Sequence, residues 1–358
     1  MALFPKHTAR YPIWRCVFRR LPAHPFRPHA DVRTWWREAL TAVKDPPEQV
    51  TPCSAPMATE LCTVDPVPAS TFFRVANLTV TSDIDQDPSS HVRQCSSILR
   101  EFNHLSQDSG NVSWLVESEG HRLFVKAAGT TQPPAPGAPV PYLDHPGRVS
   151  LLRNAINLAR SCDHQALPAL LNVIESPAGP ALVYEAATGD LVGVPSEERG
   201  NPASSYQRFA HLQAPILLGL FDTLIDLHVA LAAAGWVAGD LYDGCLIVDF
   251  ATPDLRVIDL DSYRQGATTN EMGRMFGSTR FMAPEEFELG AQIDERTTVF
   301  TLGRIIWHFA TRLTENRAEF CGSKGPAEEL ERACQTSPTD RHASVADFAN
   351  SWFAARQA

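Results

Sequence analysis

Three carboxylates are set close together in one part of the sequence. Asp240 closes the run Gly235-Trp-Val-Ala-Gly-Asp240 and opens Leu241-Tyr-Asp243-Gly-Cys245. Asp259 and Asp261 follow as Val257-Ile-Asp259-Leu-Asp261, Asp259 lying nineteen positions after Asp240. Carboxylates divided in this way can do two jobs. One can take a proton from a hydroxyl, and another can hold a divalent cation, which prefers oxygen ligands.

Such groups must be held by elements on either side. The apolar run Leu246-Ile-Val-Asp-Phe250, the turn Thr252-Pro-Asp254 and the apolar run starting at Val257 predict a β-hairpin. A hairpin brings Asp240 and Asp259 to one edge of a sheet. Upstream, Ile216, Leu217, Leu220, Phe221, Leu224, Leu227 and Leu231 recur at helical spacing, predicting a buried helix over 207–233. Residues 121–126, His-Arg-Leu-Phe-Val-Lys, alternate into a strand that ends in Lys126. Before it lies the small-residue turn Ser109-Gly110-Asn111. A helix is expected over 148–160, and Leu182-Val-Tyr-Glu185 reads as an apolar strand that ends in an acid shortly before Gly189.

Order, spacing and residue type over roughly residues 100–355, most clearly 231–306, resemble the catalytic half of a eukaryotic-type Ser/Thr protein kinase. The best-matched segment is Gly277-Ser278-Thr-Arg-Phe-Met-Ala-Pro-Glu285, which looks like the family's substrate-binding loop. The resemblance implies ATP and Mg²⁺ as cofactors and Asp240 as the catalytic carboxylate. It implies Lys126, Ser109, Gly110, Asn111 and Glu185 around the nucleotide. Asp259 falls at the metal-binding position, with Asp261 or Asp243 as further metal ligands. Ser278 and Glu285 fall in the substrate loop, and Arg341 falls where the family pairs an Arg with that loop's Glu. In the family the hydroxyl residue at Ser278 hydrogen-bonds toward the catalytic Asp.

The departures are specific. Ala238 and Gly239 replace the His and Arg before the catalytic Asp, so no Arg is in place to receive an activating phosphate. Tyr242 replaces a Lys, so an Arg such as Arg264 or Arg274 would have to neutralise the transferring phosphate. Cys245 replaces a metal-binding Asn, Thr298 replaces an Asp that braces the catalytic loop, and Asn154 or Ala155 stands where a helix Glu pairs with the strand Lys. Ala-Gly-Asp240 with Ile-Asp-Leu-Asp261 is also similar to the small-molecule kinases related to aminoglycoside and choline phosphotransferases. Three functions therefore stand: transfer to a protein hydroxyl, transfer to a small-molecule hydroxyl, or nucleotide or partner binding without turnover.

The expected fold class is α+β, a two-lobed kinase-like fold with a β-rich small lobe (96–185) and a mainly helical large lobe (186–358). Residues 1–95, rich in Pro, His and Arg, read as an irregular or disordered extension in which 33–44 could form one short helix. The chain has 358 residues and a formal charge of −10, which argues against nucleic-acid binding. Its eight cysteines form no C-x-x-C pair, which suits a reducing cytoplasm. No membrane-spanning or signal segment is expected. The partners implied are ATP and a protein substrate or a small alcohol.

Overall fold

The computed structural model describes residues 77–103, 109–132 and 140–358, and all of them belong to one compact unit. The fold is mixed α+β. Its main sheet has five antiparallel strands: β1 (Ser97–Phe102), β2 (Val112–Ser118), β3 (His121–Ala127), β4 (Leu170–Ile174) and β5 (Ala181–Glu185), in the order β1-β2-β3-β5-β4. Glu119 and Gly120, with φ of 52° and 80°, form the two-residue turn between β2 and β3. Both positions are left-handed, which matches the twist of a hairpin.

Alternation gives this sheet two faces. Trp114, Val116, Leu123 and Val125 point to one of them and pack with Leu78, Val92, Ile174 and Val183. Ser113, Leu115, Phe124 and Lys126 point to the other and line a cleft. The outer face is covered by residues 77–95, which were expected to be irregular. They contain the helix α1 (Pro88–Cys95), which starts at Asp87, whose carboxylate accepts from Ser89 N at 2.9 Å. Asn172 donates to the Leu78 and Thr81 carbonyls at 2.9 and 2.7 Å, tying this segment to β4. The short helix expected at 33–44 lies outside the described residues.

Helix α2 (His145–Ser161) packs Leu152, Ala155 and Ile156 against Leu182 of β5. The helix expected over 207–233 is two helices, α3 (Ser205–Ala210) and α4 (Ala214–Ala233). Pro215 explains the break, since a proline suits a first helical turn and not an interior. By length and composition α4 passes as a membrane span, yet its stripe Leu217, Leu220, Phe221, Leu224, Leu227 and Leu231 is buried in the largest core cluster. That core also holds α5 (Glu295–Ala310), α6 (Lys324–Ala333) and α7 (Val345–Gln357).

Beside these helices a three-stranded sheet runs β6 (Asp190–Leu191), β8 (Leu246–Asp249) and β9 (Asp254–Val257), β7 (Trp236–Val237) coming between them in the chain. The second hairpin strand is earlier than the sequence suggests: it ends at Val257, although Ile258 N still donates to Cys245 O at 2.8 Å. Three two-residue strands follow: β10 (Arg264–Gln265), paired with β7, and β11 (Thr268–Thr269), paired with β12 (Gln292–Ile293).

Candidate functional site

A cleft of about 400 Å³ is lined by the inner face of β2 and β3, by α2, and by the segments that follow β7 and β9. Lys126, Asp240, Asp259 and Asp261 all contribute to it, as do Ser109, Asn111 and Glu185. Lys126 Nζ lies 2.7 Å from Asp259 Oδ1 and 2.5 Å from Asp261 Oδ2. The side chains of Lys126 and Asp261 are 13% and 11% exposed, against 34% for Asp259. Burial works against the Lys126 ammonium, but the two carboxylates outweigh it and hold it above the ordinary lysine value. Burial raises the Asp261 carboxyl; Lys126 opposes this and Asp259 adds to it. One cation thus faces two carboxyl groups inside the cleft.

The segments that carry the acids are tightly held. Asp240 and Asp259 have φ of 57° and 63°, a left-handed geometry that Asp tolerates better than most residues. A Cβ on Gly239 would meet Ser262 O at 2.3 Å, so the residue before Asp240 must be small where the two segments cross. Thr298 Oγ1 accepts from Ala238 N at 3.0 Å, so the helix residue that replaces the expected Asp still braces this loop. The Cys245 thiol, pushed well above its usual value by burial, donates to Asp240 O at 3.4 Å. It is a neutral structural donor with no place in the cleft lining. Tyr242 does line the cleft, and burial lifts its phenol well above the ordinary range.

Helix α2 offers no acid to Lys126. Ala155 lines the cleft, and Asn154 Nδ2 donates to the carbonyls of Asp261 and Tyr263 at 2.8 and 2.6 Å. The helix therefore fastens the backbone after β9, and the acids beside Lys126 come from Asp259 and Asp261. Tyr263 is fixed in turn by His228. The His228 Nδ1–H donates to Leu224 O at 2.7 Å and its Nε2 accepts from the Tyr263 hydroxyl at 2.8 Å. Burial lowers His228 to about 4, so the ring is neutral.

Two expected roles do not survive. Asp243 has no exposed side-chain surface, does not line the cleft, and accepts from Arg280 Nη2 at 2.8 and 2.7 Å through its two oxygens. Its carboxylate is used up and cannot serve a metal in the cleft. Neither Arg264 nor Arg274 lines the cleft; Arg274 donates to Gly277 O and Thr279 Oγ1, both at 3.2 Å. The Ser109-Gly110-Asn111 turn has Gly110 at φ 78°, where a Cβ would strike Pro141. Ser278 enters its own loop through its carbonyl, which accepts from Phe281 N at 2.9 Å and Met282 N at 3.2 Å. Glu285 and Arg341 form a buried bidentate pair at 2.7 and 2.9 Å. Thr297 donates to the same carboxylate at 2.8 Å, and Arg341 also donates to the carbonyls of Arg296, Gln335 and Thr336.

Sequence reasoning passed over Asn154 as a bridge, Asp261 as a counter-ion and Arg280 altogether. Each acts through a partner distant in the chain: 107 residues for Asn154 and Asp261, 135 for Asp261 and Lys126, and 37 for Arg280 and Asp243. Among the described residues no group of three or more His, Cys, Asp or Glu side chains is gathered for a metal. No protein-family model matches the chain, and no curated protein matches its sequence.

Proposed function

We propose that the chain is an ATP- and Mg²⁺-dependent phosphotransferase of protein-kinase-like architecture, acting on a protein Ser or Thr hydroxyl. The observation that carries this reading is the meeting of Lys126 with Asp259 and Asp261 in a cleft that Asp240 also lines. In this reading residues 96–185 form the small lobe, with 77–95 added as the cover of its sheet, and 186–358 form the large lobe.

The side chains suit the cofactor. Two carboxyl groups sharing one ammonium leave an oxygen-rich site, the donor chemistry that magnesium takes together with phosphate oxygens. Bound Mg-ATP would supply the phosphoryl group and neutralise its charge. Asp259, the more exposed of the two acids that share Lys126, is the one assigned to the cation, while Asp261 keeps Lys126 paired and oriented. Asp240 accepts the acceptor hydroxyl's hydrogen bond and aligns its oxygen, since this chemistry depends on positioning and electrostatics. The apolar surface of Leu115, Phe124 and Leu170 gives a flat base room to pack.

A binding role without turnover is the second reading. It is favoured by Tyr242, which puts a neutral phenol beside Asp240 where a cation would help. Incubating the purified protein with labelled Mg-ATP and a generic basic protein separates the readings. Label on protein that disappears in Asp240→Asn supports the proposal. Label only on an aminoglycoside, choline or another small alcohol moves the acceptor class. Nucleotide binding with no transfer leaves the second reading.

A further inference from the structure

Arg280 takes no part in the chemistry just proposed, yet it joins the two loops that chemistry requires. Its Nη2 donates to both oxygens of Asp243, thirty-seven residues away in sequence and three after Asp240. Asp243 is wholly buried, whereas the Arg280 side chain is 24% exposed. The Asp243 carbonyl accepts from Gly193 N at 2.9 Å and also from Leu246 N. A Cβ on Gly193 would meet Gly244 Cα at 2.7 Å, so the backbone on this side has no room to move. Asp243 is therefore a fixed anchor, and Arg280 is the hook on the segment 277–285.

The hook is itself oriented. Its guanidinium lies over the Phe281 ring at 4.5 Å, and Nη1 donates to the Tyr206 hydroxyl at 3.3 Å. That hydroxyl meets His308 Nε2 at 2.5 Å, and His308 Nδ1 meets Glu315 Oε1 at 2.5 Å. Nη2 alone meets both Asp243 oxygens while Nη1 is held by Tyr206, and a guanidinium fixed in this way loses little freedom on pairing with a carboxylate. A carboxylate buried without that fork would be strongly disfavoured, so the two loops are coupled.

We propose that Arg280 is a positioning residue whose ion pair with Asp243 locks segment 277–285 onto the Asp240 loop, setting the acceptor shelf without an added phosphate. The charge pattern agrees. The residues before Asp240 are Ala238 and Gly239, which cannot receive a phosphate, while the cation sits on the shelf and its fixed anion on the Asp240 loop. The consequence for acceptors rests on the phosphotransferase reading; the lock itself does not.

The test uses the full chain carrying Arg280→Gln, Arg280→Lys or Asp243→Asn. Hydrogen exchange of the amides in 277–283, measured without nucleotide, should quicken in all three while β2 and β3 exchange as before. Acceptor kcat/KM should fall about tenfold to a hundredfold, the scale of a small misplacement of reacting groups. Nucleotide affinity should hold, and Arg280→Lys, which keeps the charge and loses the fork, should lie between wild type and Arg280→Gln. Should Arg280→Gln fail to fold, Arg280→Lys carries the same comparison. Unchanged exchange in 277–283 overturns the lock, as does a loss of nucleotide affinity in step with acceptor kcat/KM. If the wild type transfers phosphate to nothing, the proposed function fails, and exchange alone still decides the lock.

Discussion

Asp240 and Asp259 each hold a left-handed backbone, so substitutions there separate chemistry from conformation only when the new residue tolerates that geometry. Asn does. Asp240→Asn is expected to stay folded and to lose turnover by about 10²–10⁴, the usual contribution of a positioned base. Asp240→Ala should show the same loss and in addition unfold more easily, by about 1–2 kcal/mol. Near-wild-type turnover in Asp240→Asn would remove the residue from the reaction. For the cation, Asp259→Asn should abolish Mg²⁺-dependent nucleotide binding, while Cys245→Ser should change it little. The Cys245 thiol only donates to Asp240 O, and a hydroxyl can donate there too. Titrating Mg-ATP into both variants decides, and a larger loss in Cys245→Ser would refute the metal assignment. Arg341 belongs to a different class. Its pair with Glu285 is buried, and Arg341→Ala leaves that carboxylate with Thr297 alone. A loss of about 3–5 kcal/mol in denaturant unfolding is expected.

At the scale of elements, the cover of the main sheet is the sharpest departure from the sequence reading. Leu78 and Val92 are buried against Trp114, Val116 and Val125, so residues 77–95 belong to the fold. Leu78→Ala should therefore destabilise by about 2–5 kcal/mol in denaturant unfolding, and a chain begun at residue 96 should be far less stable than the whole. A truncated chain that unfolds at the wild-type temperature would show the cover to be dispensable. The sequence concealed this because α1 has eight residues and only Pro88, His91 and Val92 are buried, too short a stripe to register as a period. The strand β3 was legible for the opposite reason, since Leu123, Val125 and Ala127 alternate with Phe124 and Lys126 without a break. Period two therefore identified the strand that ends in Lys126. Spacing placed Asp240, Asp259 and Asp261 together for the same reason, as a short hairpin leaves little freedom between its ends. The fate of Asp243 was not legible. Whether an acid in a tight loop faces solvent, metal or an Arg depends on a partner that local pattern does not encode.

For the molecule as a whole, two buried groups far apart in the chain set opposing pH dependences of stability. Glu286 is pushed up to about 7 by burial above all, with Ala283 N, at 2.6 Å, and the Arg341 charge opposing the rise. Between its ordinary value of 4.5 and about 7 the folded chain holds a proton that the unfolded chain has lost. Stability from this group is full below about 4.5 and falls as pH rises through 7. His228 works the other way, since burial lowers it from 6.5 to about 4. There the unfolded chain binds the extra proton, so its contribution is full above 6.5 and falls as pH drops toward 4. Each change is worth about 3 kcal/mol, and the two slopes oppose each other over most of pH 4.5–6.5. The expected signature is a difference between variants, because other titrating groups are common to all of them. Glu286→Gln, which keeps an oxygen to accept from Ala283 N, should gain stability over wild type as pH rises from 5 to 8. His228→Gln should gain over wild type as pH falls from 7 to 4. Urea unfolding of the three proteins across pH 4–8 measures both differences. A Glu286→Gln profile parallel to wild type would place an ordinary carboxylate at 286, and a parallel His228→Gln profile would place an exposed imidazole at 228.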